Sequence, residues 1–222
     1  MRRTTIAALS LAALTSVAAT APARAEMSLS FYGGPQTAPH SRVKGDDGDG
    51  TEFNFLSEWE GKSFEAPPHY GVRGVWWRDE NLGFGVDFNH VKVYASNDTR
   101  EDNGFENLEL TDGLNILTAN VFYRWPGQFA GGALTPYVSG GLGIAVPHVD
   151  VEINDSETFG YQVTGPAVAW IAGVSYDLND RWAVFGEYKG TFSSNEADLD
   201  NGGELKTDIV TNALNVGLTL KF

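Results

Sequence analysis

Apolar and polar residues alternate with a period of two along most of this chain, the signature of strands whose two faces meet different surroundings. The clearest run is Asp208 to Phe222. Val210, Asn212, Leu214, Val216, Leu218, Leu220 and Phe222 fall on one face, and Thr211, Ala213, Asn215, Gly217, Thr219 and Lys221 on the other. Similar segments span Met27–Gly33, His69–Arg78, Leu82–Ala95, Asn115–Trp125, Thr135–Val146, Val163–Leu178 and Arg181–Phe192. Asp79-Glu80-Asn81, Pro126-Gly127 and Asn179-Asp180 interrupt the pattern with turn chemistry. Within Leu82–Ala95 the apolar row moves from Phe84, Val86 and Phe88 to Val91 and Val93. If the apolar row always faces outward, an irregularity near Asn89 is needed, and it turns His90, Lys92 and Tyr94 inward above Asp87.

The connections are of two kinds. Those after the second, fourth and sixth segments are short or Gly-rich. The other four, Gly34–Pro67, Ser96–Asp112, His148–Tyr161 and Ser193–Thr207, are long and polar and hold 21 of the 29 Asp and Glu. This asymmetry predicts an all-β fold: an eight-stranded antiparallel up-and-down transmembrane β-barrel with long extracellular loops and short periplasmic turns. Side chains fill so narrow a barrel, which makes a pore the weakest reading. The terminal Phe222 resembles the signature by which bacterial outer-membrane barrels reach their assembly machinery.

At the other end, Arg2 and Arg3 precede an apolar run from Ile6 to Leu14, and Ala23-Arg24-Ala25 reads as a cleavage site. Residues 1–25 are therefore expected to be a signal peptide and 26–222 the barrel domain. An anchor helix needs about 20 apolar residues, more than this run supplies. No later segment suits a spanning helix, so membrane residence requires a closed barrel, expected in the outer membrane of a Gram-negative cell.

Composition agrees. The absence of cysteine excludes a disulfide-stapled scaffold. The 26 glycines and 12% aromatic content suit turn-rich β structure with aromatic girdles. The formal charge is −14, and loss of Arg2, Arg3 and Arg24 leaves 12 Lys and Arg against 29 acids, or −17. That sign argues against nucleic acid as a partner. The acidic loops would face the outer leaflet, where lipid phosphates repel them unless divalent cations bridge the two. A plainer account is that they keep the protein soluble in transit.

Candidate chemistry is sparse. Gly45-Asp46-Asp47-Gly48-Asp49-Gly50-Thr51-Glu52 is dense in carboxylates, but Glu52 stands where a calcium loop requires glycine, so an acidic turn is expected. His40, His69, His90 and His148 all fall in the outer half of the barrel or its loops. Pairing across the turn at Asp79–Asn81 places His90 beside Tyr70 and Arg73 near Asp87. Asp87, Arg73, Glu187 and Lys189 are expected in the lumen, where paired charges offset each other's burial cost. Pro67-Pro68 stiffens the approach to the second strand and holds Lys62, Ser63, Phe64 and His69 over the barrel mouth.

Four stretches resemble the lipid A oxidase family of α-proteobacterial outer membranes, within the wider group of small opacity-type surface barrels. They are Met27-Ser28-Leu29-Ser30-Phe31-Tyr32-Gly33-Gly34, Trp59-Glu60-Gly61-Lys62-Ser63-Phe64, Pro67-Pro68-His69-Tyr70-Gly71-Val72-Arg73 and Asp87-Phe88-Asn89-His90-Val91-Lys92-Val93-Tyr94. The resemblance covers about the first third of the exported chain. It implies oxygen-dependent oxidation of the proximal glucosamine of lipid A to 2-aminogluconate, with the lipopolysaccharide of the outer leaflet as partner. Such chemistry needs an electron carrier, and with neither a flavin nor a nicotinamide motif present, a divalent transition metal is expected. Its candidate ligands and catalytic residues are His69, His90 and Asp87, with His40 or His148 in addition; Trp59, Lys62, Arg73 and Lys92 are candidates for holding lipid A. Two other classes stay open: a non-catalytic surface barrel for envelope integrity or adhesion, and a lipid A deacylase using Ser63 with His69 or Ser96 with His90.

Overall fold

The structure is a computed structural model and describes residues 26–222. The expected signal peptide, 1–25, lies outside them. β1 (Glu26–Gly33) is followed by β2 (Gln36–Thr37), β3 (Ser41–Asp46), β4 (Glu52–Ser57), β5 (Trp59–Glu60), β6 (Tyr70–Trp77) and β7 (Leu82–Ala95). A short helix, α1 (Asn97–Asp102), precedes β8 (Phe105–Arg124) and β9 (Leu134–Ile153). β10 (Ser156–Tyr161), β11 (Gly165–Asp177), β12 (Trp182–Asp198) and β13 (Glu204–Lys221) complete the described chain. Eight of these strands form the ring β1-β6-β7-β8-β9-β11-β12-β13, which closes by antiparallel pairing of β13 with β1. Closure leaves no strand edge to satisfy, the condition for crossing a bilayer as a sheet.

The turns at the periplasmic end follow from their side chains. Asp79 Oδ1 accepts from the backbone N–H of Asn81 and of Leu82, and Asn179 Oδ1 accepts from those of Arg181 and Trp182. Each side chain thus replaces a backbone partner and sets the register of its hairpin. The first hairpin pairs Arg73 with Asp87 and Tyr70 with His90, as expected from the turn position.

In the lower half of the barrel the inward face is mixed, with Ser28, Ser30, Arg73, Asp87, Asn120, Glu187, Lys189 and Asn215 buried above and beside a small apolar cluster of Val75, Trp77, Phe122 and Ile171, while Phe31, Val86, Leu142 and Val216 lie exposed on the outer wall. Higher up, the same inward row becomes apolar. Val91, Val93 and Ala95 continue the row of Asp87 and Asn89 on β7 and join Leu108, Leu110, Leu114, Val149, Val151, Leu205 and Ile209 in one buried core. β8 and β9 are 20 residues long each. A bilayer-crossing strand needs only about 9–11, so their upper halves stand outside the membrane as a solid β extension.

Much of what the sequence presents as polar loop is therefore strand. β3 pairs with β13, β4 with β3 and β5 with β7, so the first long connection occupies the places that β1 and β6 vacate above the membrane. β10 folds back on β9, and β12 and β13 run on as a hairpin to Asp198 and Glu204.

The expected face switch near Asn89 does not occur. A register shift is present between Val91 and Val93, but the extra residues are on β8, where the partners are Leu114 and Leu110. β7 keeps its alternation, so His90, Lys92 and Tyr94 remain on the outer face. His90 stacks on Tyr70 with ring centroids 5.0 Å apart. The expectation assumed a polar lumen along the full height of the barrel, whereas the interior turns apolar above the bilayer.

Candidate functional site

The densest chemistry in the described residues is a buried charge network across the lumen. β6 contributes Arg73, β7 Asp87, and β12 both Glu187 and Lys189, whose spacing of two puts them on the same inward face. Arg73 Nε donates to Asp87 Oδ2 at 2.7 Å, and its Nη1 and Nη2 donate to the two oxygens of Glu187 at 2.8 and 2.7 Å. Lys189 Nζ donates to Asp87 Oδ1 and to Tyr32 Oη. Tyr32 Oη donates to Asp87 Oδ1 at 2.8 Å, Tyr137 Oη to Glu187 Oε2 at 2.7 Å, and Asn215 Nδ2 to Glu187 Oε1 at 3.3 Å. Two cations thus meet two carboxylates, each with further hydrogen bonds, which is the condition under which buried charges are tolerated. Below the network a cavity of about 220 Å³ opens toward the periplasmic end, lined by Ser28, Ser30, Trp77, Phe122, Arg124 and Phe185 among others.

The structure separates most of the expected site residues. His69 faces the lumen at the edge of the network, with Nδ1 2.9 Å from the carbonyl oxygen of His90 and Nε2 3.0 Å from Asn215 Oδ1. His90 is on the opposite face of the wall, with Nδ1 3.0 Å from Asn115 Oδ1. His40 is half exposed, with Nε2 3.5 Å from Glu58. His148 packs edge-on against Phe159 and Tyr161 on the outer wall of the extension. The Asp87 carboxylate is engaged by Arg73, Lys189 and Tyr32. Among the described residues no three His, Asp or Glu side chains are placed to hold a metal ion, so the set His69, His90, Asp87 and His40 does not fit one.

The deacylase pairs are not assembled either. Ser63 Oγ accepts from the N–H of Gln36 and donates to its carbonyl, and Ser96 Oγ donates to Thr99 as the cap of α1. Neither hydroxyl has a histidine as hydrogen-bond partner in these contacts.

Of the residues expected to hold lipid A, Lys62 and Lys92 come together. Their ammonium groups lie 4.3 and 5.0 Å from the centre of the Tyr94 ring on the outer wall, and Lys92 Nζ donates to the carbonyl of Glu65 at 3.0 Å. Arg73 is in the lumen. Trp59 is in the core of the extension, where its Nε1 donates to Ser41 Oγ.

The carboxylate-rich stretch from Gly45 to Glu52 is the turn of the β3–β4 hairpin. Asp47 Oδ1 accepts from the N–H groups of Asp49 and Thr51, and Oδ2 accepts from Asn154 Nδ2 at 2.7 Å. Its oxygens are spent on the turn, as a structural reading requires. The N–H of Thr51, then that of Asp49, holds its carboxyl below the usual range.

Tyr32, Tyr137 and Asn215 belong to the network but were not singled out from the sequence. Only their inward parity marks them, and tyrosine is equally at home in an aromatic girdle.

Residues 7–222 match the outer membrane protein beta-barrel domain family. Neisserial surface protein A is similar in structure at 15% identity and a TM-score of 0.50, covering 89% of this chain and 97% of that one. OprG from Pseudomonas aeruginosa is similar at 13% identity and a TM-score of 0.50, covering 90% and 96%. At these identities the likeness shows the fold. No curated protein sequence matches the chain.

Proposed function

The chain belongs to the outer membrane protein beta-barrel domain family, an integral outer-membrane barrel, and from that premise we propose that it is a sealed, non-catalytic surface barrel serving envelope integrity or adhesion. The observation that carries this reading is the filled interior. Charge pairs occupy the middle of the lumen and an apolar core occupies the extracellular half, so the conspicuous side chains hold the barrel together rather than surround a substrate. What remains for function is the outer surface of the extension, exposed beyond the outer leaflet.

Contact with lipopolysaccharide fits this reading at one place. Lys62 lies over the Tyr94 ring just above the exposed Tyr70, and Phe64, 78% exposed, lies on the same loop as Lys62, while Lys92 is fully buried beside that ring and donates to the Glu65 carbonyl. A cation above an aromatic belt suits a lipid phosphate while the ring and Phe64 meet the acyl boundary.

The finer, enzymatic reading is the lipid A oxidation implied by the resemblance. Mass spectrometry of lipid A with a free anomeric hydroxyl, incubated in air with the refolded barrel and transition metals, separates the two. The surface-barrel reading expects unchanged lipid. An air-dependent gain of one oxygen that disappears in His69→Ala would overturn it in favour of an oxidase, and loss of an acyl chain would overturn it in favour of a deacylase.

A further inference from the structure

The cavity of about 220 Å³ below the charge network takes no part in sealing the barrel. It is a dead end, with its mouth toward the periplasm and Arg73 at its inner end. The Arg73 guanidinium lies 5.4 and 5.8 Å from the ring centres of Phe122 and Phe185, which with Val75, Trp77 and Tyr137 form the walls. Alternation puts them there, since Arg73, Val75 and Trp77 share the inward face of β6.

Water finds few partners on these walls. A buried water needs two to four polar groups, and the hydroxyls on the β1 side are spent on their neighbours. Ser30 and Thr219 share a hydrogen bond of 2.8 Å, and Ser28 Oγ accepts from Trp77 Nε1 at 3.3 Å. What the cavity offers instead is aromatic surface and the donors of one guanidinium. Asp87 and Glu187 take three of the five N–H groups of Arg73, and the other two remain for an acceptor.

Charge is balanced at both ends. Two cations meet two carboxylates in the network, and at the mouth Arg124 pairs with Glu26 at 3.0 Å and Lys221 with Asp177 at 2.6 Å. Arg124 also covers the Trp77 ring at 3.8 Å, so the mouth is built on the same aromatic wall. A charged guest would give up its hydration and unbalance the set, whereas a neutral one does neither.

We propose that this cavity binds a small neutral aromatic molecule from the periplasm, one or two fused rings bearing a hydroxyl or carbonyl oxygen. An apolar cavity of about 150 Å³ takes benzene, which leaves room here for a second ring. The rings meet Trp77, Phe122 and Phe185 edge or face, and the oxygen accepts from Arg73. The network and the apolar core above it stop the molecule from passing through, so the site holds its ligand without conducting it.

The chain has no cysteine, so Ser30→Cys places a single thiol opposite Arg73 in the β1–β6 ladder. In lipid nanodiscs a small thiosulfonate reagent is expected to modify it, and 2-naphthol to slow that reaction saturably. A thiol on the extension, Glu157→Cys, should react at an unchanged rate. Naphthalene, which lacks the oxygen, and 2-naphthoate, which is charged, should each need a concentration about tenfold higher, the worth of one hydrogen bond to a charged group. In the unmodified chain 2-naphthol should shift the indole N–H resonance of Trp77, and Ser175→Phe, which fills the mouth, should remove the shift. Variants are scored only when gel migration shows a folded barrel. The proposal is overturned if the Ser30→Cys thiol is inert, if 2-naphthol leaves its rate unchanged or slows both thiols alike, if naphthalene or 2-naphthoate matches 2-naphthol, or if the Trp77 shift is absent or survives Ser175→Phe.

Discussion

Asp87 accepts from Tyr32, Arg73 and Lys189 at once, so its removal takes away the carboxylate that Lys189 donates to and leaves two buried cations to share Glu187, which Arg73 already engages. Asp87→Ala is expected to cost about 3–5 kcal/mol of unfolding free energy, the usual penalty for breaking one side of a buried pair. Urea unfolding of the refolded barrel in detergent measures it, and a cost below 1 kcal/mol, roughly that of an exposed pair, would mean that water reaches the network. Asp47 gives a test by pH. Its carboxyl is held below the usual range by the N–H groups of Thr51 and Asp49, so the stability it lends the β3–β4 turn is present above the ordinary carboxylate range. That stability is lost as pH falls through the lowered value. Exchange of the Thr51 and Asp49 amides should quicken at that point relative to the intrinsic rate, and Asp47→Ala should abolish the transition. The pairing of Arg73 with Asp87 was legible from alternation and a single turn. The part of Tyr137 was not, because nothing in a sequence separates a tyrosine bound to a lumenal carboxylate from one in a girdle.

At the scale of elements, the halves of one strand answer to different solvents. Leu142 on β9 faces outward at the lipid level, while Leu108 on β8 is fully buried in the core of the extension. Leu108→Ala is expected to cost about 2–5 kcal/mol, and Leu142→Ala far less in detergent, because only the first opens a cavity. Comparable costs in the same unfolding assay would mean that the extension has no dry core. The β9–β10 hairpin adds a pH dependence of the opposite sign to that of Asp47. The Glu152 carboxyl is raised by its hydrogen bond to Glu106, so its contribution is complete below the unfolded carboxylate range and is lost as pH rises through the folded value. Protection of hairpin amides should fall over that window, and Glu152→Gln should flatten the change. The extension was hidden in the sequence by its own surface: the acids crowd its outward positions, and counting them marks the stretch as loop. The inward row Val149, Val151 and Ile153 alternates as cleanly as any membrane strand, and reading that row instead of the acids would have found it.

For the whole molecule, ring order and compartment were legible because one physical demand, closure without free edges, acts on all eight strands together. The height of the barrel was not, since period-two alternation shows that two faces differ without showing which one meets water. The consequence is a barrel closed twice, by the charge network and by the apolar core above it. Breaking the first should leave the second intact. Planar-bilayer recording of the wild-type barrel and of Arg73→Ala with Glu187→Ala tests this most directly: both should be electrically silent, although the variant is less stable. Stepwise currents through the folded wild type, or through the folded variant, would contradict a solid extracellular core.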